Sequence, residues 1–320
     1  MRIIDSMNIS RRHLRRLLPV LLVSCAATAL LGSGNSAVKL PANIFLTEDG
    51  ALKVSSPSSS PRMLIEDQDF NWILDWTKGR VLASGKADGL PSALLLVEAD
   101  GSTSVLSDRA GVARFSPDGK SVLFTRELVL YVRRLADSAP IEAVPGVLDA
   151  SWAPDGKSIV LIRIDPEAEE RHWLALYDLR SGTTRDLTGR PFNDWSPWFH
   201  PSGDWILFAS TRDPYGHSAL WRIGTDGEAL AQLTNLSGEP QVPTPSSRAI
   251  WSPDGQRLAF DAVNEDGSRS IWAITFSREG TVDHAEQIGS GIPYSWLNSR
   301  QLLAVPSGDE SSPVVVGVDR

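Results

Sequence analysis

The side chains here best suited to proton transfer, nucleophilic attack or soft-metal binding are five histidines and one cysteine. They are scattered along the chain as His13, Cys25, His172, His200, His217 and His284. Zinc needs ligands paired at short spacing, and no His-x-x-His or Cys pair occurs. Two acidic loops, residues 165–170 and 264–267, are rich enough in carboxylates for a hard cation. Neither has the alternating ligand positions of a calcium loop, and both read as solvated hairpin loops. These residues form no recognisable catalytic set, so the expectation is no catalytic residue, no metal and no cofactor.

The elements that position them are set by a repeat. An aromatic residue, a Ser-Pro-Asp-Gly-type turn and an apolar run recur four times. They occur as Phe115-Ser-Pro-Asp-Gly119, Trp152-Ala-Pro-Asp-Gly156, Phe199-His-Pro-Ser-Gly203 and Trp251-Ser-Pro-Asp-Gly255. The third turn residue falls at 118, 155, 202 and 254, a spacing of 37, 47 and 52 residues. Proline presets the turn, Asp or Ser suits its neighbours, and glycine suits the fourth position. The runs that follow, such as residues 121–125, 158–162 and 205–209, have strand length and not helix length. A third and a fourth short strand complete each unit. Weaker copies at Trp76 and Trp296 bring the number of units to six, starting near residues 69, 110, 146, 192, 244 and 291.

A strand-rich period of about 40 to 50 residues is the signature of a propeller. The expected fold is all-β: a six-bladed β-propeller of four-stranded antiparallel blades over residues 44–320, with five or seven blades as fallbacks. The last unit ends after three strands, and residues 44–65 hold spare strands. One of these is expected to close the ring, which would remove an exposed sheet edge. The rings at Trp76, Phe115, Trp152, Phe199, Trp251 and Trp296 share one repeat position and read as packing between blades.

Residues 1–24 carry five arginines and one aspartate, so the formal net charge of −8 leaves −12 on the remainder. An acidic body argues against non-specific nucleic-acid binding. A basic start followed by a short apolar run reads as an export signal, too short to span a membrane. Residues 25–43 read as a flexible tether.

Several of these strings resemble known families. Leu22-Val-Ser-Cys25 resembles the lipobox of bacterial lipoproteins, which implies an acylated Cys25 as first mature residue. The alternative is a plain signal peptide cleaved later, after Ala37. Ser10-Arg-Arg-His-Leu14 also resembles a twin-arginine signal, so the export route stays open. Residues 251–260 and 209–221 resemble the repeats of TolB-type propellers, which also occur in prolyl oligopeptidase-like peptidases. The resemblance covers residues 44–320 and implies the fold more than a function. The amino-terminal α/β domain of TolB has no counterpart in residues 25–43. The Gly-x-Ser-x-Gly elbow of the peptidases is absent from the sequence.

Topology then points to one face for binding. Loops entering the inner strands and loops between second and third strands share it. On it fall Arg190, Asp194, Trp195, His217 and Arg248, with the loop 235–247. Long loops on a rigid scaffold carry recognition, and Arg with Trp is common anchor chemistry. His200 lies in a turn on the opposite face. The sequence therefore reads as a non-enzymatic, exported, monomeric propeller that binds an envelope protein or peptide and is held to a membrane through Cys25. The alternative is a propeller acting on carbohydrate, a lyase or a glycan-active enzyme, since some propellers with this repeat resemble sugar-acid lyases.

Overall fold

The computed structural model describes residues 44–318, with breaks at 49–50, 57–58, 66–69, 78, 110, 138–140, 166–167, 190, 214–216, 236–240, 247–248 and 306–313. The leader, the tether and Cys25 lie outside the described residues. Six antiparallel sheets follow one another along the chain. Their first strands are Phe70–Thr77, Ala113–Phe115, Val147–Trp152, Asp194–Phe199, Ala249–Trp251 and Ile292–Asn298. We call the sheets blades 1 to 6 in that order. Blades 1 to 5 have four strands each and blade 6 has three among the described residues. The fold is the expected six-bladed propeller, with blade starts within a few residues of the repeat boundaries.

Why the second strands are apolar throughout, and not alternating, is clear from what they face. In blade 3, Ile159 and Leu161 pack toward blade 2, while Val160 and Ile162 pack toward blade 4. In blade 4, Ile206 and Phe208 face blade 3, while Leu207 and Ala209 face blade 5. Successive side chains of a strand point to opposite sides of its sheet. A blade with neighbours on both sides therefore needs apolar residues at every position. Each such burial contributes about 1.5–3 kcal/mol per large side chain. The core is thus a set of slabs, one in each gap between blades.

The repeated aromatic points into the gap with the preceding blade. Trp152 of blade 3 donates its indole N–H to the Arg114 carbonyl of blade 2 at 3.2 Å. Trp296 of blade 6 does the same to Ile250 of blade 5 at 3.0 Å. Trp76 of blade 1 stacks on Tyr294 of blade 6, with ring centroids 4.4 Å apart. The first blade thus meets the last through the same repeat position.

Residues 44–65 form a separate antiparallel sheet of three strands, Ile44–Glu48, Ala51–Ser56 and Ser59–Ile65. Among the described residues its strands pair with one another and none joins blade 6. The expected closure by an amino-terminal strand is therefore not part of the observed pairing.

The turns explain the glycines. Gly119, Gly156, Gly203 and Gly255 have φ of 73°, 69°, 81° and 71°. That left-handed conformation costs other residues about 1–2 kcal/mol. In the first turn, Gly119 N–H donates to the Ser116 carbonyl at 2.8 Å, and Asp118 accepts from the Ser116 hydroxyl at 2.7 Å and the Lys120 N–H at 2.9 Å. The Lys120 amide and then the Ser116 hydroxyl hold the Asp118 carboxyl below its ordinary value of 3.8. This clip stabilises the turn at neutral pH and is lost as pH falls below that value. Successive turns also stack: a Cβ on Gly156 would lie 3.8 Å from Pro117, and one on Gly203 would lie 3.9 Å from Pro154.

Gly156→Ala is expected to cost about 1 kcal/mol, the backbone term alone. Gly255→Ala is expected to cost more, because its new Cβ would lie 3.1 Å from His200 Nε2. Denaturant unfolding of the two variants checks this ranking.

Candidate functional site

Blade 4 opens with a buried charge. Asp194, the first residue of its inner strand, has no exposed surface. A carboxylate there requires a partner. Arg212, just after the second strand, supplies it: one Nη2 donates to both Asp194 oxygens, at 2.6 and 2.7 Å. Thr188 Oγ1 donates to Asp194 Oδ2 at 2.6 Å and accepts from the Leu174 N–H of blade 3 at 2.9 Å. Arg212 Nε donates to Ser210 Oγ at 2.8 Å. Its guanidinium carbon lies over the rings of Phe192 and Phe208, at 5.3 Å from each centroid, and 5.7 Å from that of Trp221. This node joins the loop entering blade 4, the loop after its second strand and the end of blade 3.

The loops around it are tied by side chains. Asn193 accepts from the His172 N–H of blade 3 at 3.2 Å. Its own N–H donates to Thr211 Oγ1 at 3.1 Å, and Thr211 N–H returns a bond to the Asn193 carbonyl at 3.1 Å. Gln232 Nε2 donates to Asp213 Oδ2 at 3.1 Å and to the Thr234 carbonyl at 2.9 Å. The long loop from blade 4 to blade 5 is fastened at both ends. Asn235 Oδ1 accepts from the Val242 N–H at 2.6 Å, and its Nδ2 donates to the Ser218 carbonyl at 2.8 Å. Farther on, Ser246 N–H donates to the Asp261 carbonyl, and Ser246 Oγ accepts from the Val263 N–H, both at 2.8 Å. Asp261 is fully buried and paired with Arg269. Large apolar side chains stand exposed on the same face, Phe192 at 38% and Val263 at 52%.

The sequence candidates divide accordingly. Asp194 is the centre of the node and is shielded from solvent, so it positions loops and offers no surface of its own. Trp195 is half-buried and packs on the core between blades 4 and 5. His217 is exposed. Arg190 and Arg248 lie outside the described residues. Arg212, Thr188 and Asn193 carry no mark in the sequence pattern, whereas Asn235 opens the 235–247 loop. What signal there is lies in the Ser-Thr-Arg-Asp string at 210–213, where an arginine directly follows an apolar strand. Among the described residues, no group of three or more His, Cys, Asp or Glu is placed to hold a metal ion.

No protein-family model matches the chain. Over 116 residues it is 31% identical to an uncharacterized protein of Agrobacterium fabrum, covering 36% of each chain. It is 25% identical over 131 residues to the uncharacterized peptidase YuxL of Bacillus subtilis, covering 40% of this chain and 19% of that one. Over 144 residues it is 28% identical to dipeptidyl-peptidase 5 of Porphyromonas gingivalis, covering 43% and 20%. These matches span about a third of the first relative's length and about a fifth of the others'. Among solved structures, a putative TolB from Agrobacterium tumefaciens superposes with a TM-score of 0.54 at 19% identity, covering 73% of this chain and 85% of that one. An oligogalacturonate lyase in complex with manganese superposes with a TM-score of 0.62 at 13% identity, covering 87% and 86%. The fold is therefore a TolB-like, WD40-like six-bladed propeller, similar in fold to TolB and to a lyase propeller, and part of its sequence is similar to two peptidases.

Truncating one partner of a buried ion pair strands the other charge. Asp194→Ala is expected to cost about 3–5 kcal/mol. The double variant Asp194→Leu with Arg212→Met is expected to cost clearly less than Asp194→Ala. Denaturant unfolding of the two variants beside wild type checks this ranking.

Proposed function

We propose that this chain is an exported propeller scaffold, without catalytic activity of its own, that binds a protein or peptide partner at the bacterial cell envelope. Residues 1–24 act as the export signal, residues 25–43 as a tether, and residues 44–320 as a monomeric propeller. Cys25 carries the lipid that holds the chain to a membrane. The partner docks on the face around Phe192, Trp195 and His217, flanked by Arg190 and Arg248. Asp194 contributes from below, by fixing the loops that make contact.

One observation supports this reading above the others. The loops of this face are tied down by bonds from Asn193, Thr211, Asn235 and Ser246 within the chain itself. A surface ordered in advance loses little conformational entropy on association, which favours recognition. Phe192 and Val263 add exposed apolar area of the kind that interfaces bury. The acidic body keeps nucleic acid out of the list of partners. The carbohydrate-active alternative rests on likeness of fold to a lyase, which is not an argument about chemistry.

The test is site-specific photocrosslinking of the intact protein in its own cells, with the probe at Phe192 or His217 and a control probe at Lys157 on the turn face. One discrete partner captured from the first two positions and not from the third is expected. Equal capture from both faces, or none, together with turnover of a glycan by the purified protein, would overturn the proposal.

A further inference from the structure

The turn of blade 4 departs from the repeat: where the other three full copies have Ser116, Ala153 and Ser252, it has His200. The substitution places an imidazole in the seam between blades 4 and 5, on the face opposite the loop platform. Its ring stacks on Trp205 of its own blade, with centroids 4.5 Å apart at 15°. Trp251 of blade 5 meets it edge-on at 4.8 Å. Phe276 of blade 5 packs against both indoles, 5.9 and 5.2 Å from them.

The hydrogen bonds fix the tautomer. Nε2 lies 2.9 Å from the Gly255 carbonyl, an acceptor only, so Nε2 carries the proton. Nδ1 lies 3.2 Å from the Ser202 N–H, a donor only, so Nδ1 presents its lone pair; the Ser202 hydroxyl is 2.8 Å away. The neutral Nε2–H form alone satisfies both neighbours. A second proton must enter at Nδ1. There the Ser202 hydroxyl can turn to accept it, but the Ser202 amide loses its acceptor and a charge is placed among indole rings in a partly desolvated seam.

We propose that His200 is a proton-operated latch between blades 4 and 5, closed by the neutral ring and weakened when Nδ1 takes up a proton. The charged groups around it do not cancel that effect. Burial holds the imidazolium below the ordinary histidine value of 6.5, against opposing pulls from the Gly255 carbonyl and the Asp204 carboxylate. On blade 5, Asp254 is engaged by Arg257 at 4.0 Å and by the Ser252 hydroxyl at 2.6 Å. From the third strand of blade 4, Arg222 donates to the Glu279 carbonyl of blade 5, which keeps a cation near the same seam. Arg278 and Glu279 complete the charges on that turn of blade 5.

The direction follows from linkage. Well above 6.5 the ring is neutral in both folded and unfolded chains, and the latch contributes fully. As pH falls through 6.5 the unfolded chain takes up its proton first, so stability drops until the lower folded value is passed. The weakened seam lies at the base of the same two blades that the 235–247 loop bridges on the other face. The latch does not depend on whether that loop binds a partner.

Two measurements on the full chain test it. By NMR, the histidine resonance that disappears in His200→Ser is expected to titrate with a midpoint below 6.5. In denaturant unfolding, the wild-type midpoint is expected to fall between about pH 7.5 and about pH 5, and to fall less in His200→Ser and in His200→Gln. Serine is the residue of the sister turns, and glutamine retains a donor and an acceptor without titrating. A midpoint at or above 6.5 would overturn the proposal. So would variants that lose stability by the same amount as wild type across that pH range, which is what a purely structural ring would give.

Discussion

Everything in this protein follows from the need to bury both faces of every blade. A single antiparallel sheet of four short strands has two apolar sides and cannot shed either. Stacking the blades in sequence removes both sides from water at once, at the price of requiring apolar residues at every position of the second strands. That is why residues 158–162 and 205–209 show no alternation. It is also why the aromatic before each turn is large: it spans the gap to the blade behind it. Where the chain must close on itself, the same position holds the seam, with Trp76 against Tyr294.

Regularity at one end of the wheel frees the other. On the turn face, left-handed glycines and stacked prolines recur in blades 2 to 5, and the one ring among their turn residues, His200, is accommodated because Gly255 leaves room for it. On the loop face the repeat gives way to unequal connections. The node of Asp194, Arg212 and Thr188 occurs there, in the loops of blades 3 and 4. A buried ion pair adds little net stability compared with apolar residues of the same volume, but it fixes geometry. Here it sets the loop entering blade 4 relative to the loop after its second strand, and through Thr188 it reaches blade 3.

Much of this was legible in the sequence. The Ser-Pro-Asp-Gly copies placed the blades within a few residues, because the turn chemistry is local and each turn is specified by its own residues. What the copies lacked was anything about contacts across blades. Arg212 reaches Asp194 from eighteen residues away, and no local pattern announces the pair. The sequence marked Asp194 as acidic on the loop face, but its full burial comes from the packing of loops far apart in the chain. His200 stood out as a substitution in the turn, yet its partner Gly255 is 55 residues distant. The spare strands of residues 44–65 had the right composition to close blade 6, and composition does not choose between pairing there and pairing with one another.

The central claim is that the loop face is held in place by bonds within the chain itself. Hydrogen exchange resolved to single amides, on the protein alone, tests it most directly. The amides of Asn193, Thr211, Val242 and Ser246 donate to Thr211 Oγ1, the Asn193 carbonyl, Asn235 Oδ1 and the Asp261 carbonyl. They are expected to exchange as slowly as the inner amides of the second strands. Exchange of these four at the rate of an open loop, with the strand amides still protected, would contradict the account.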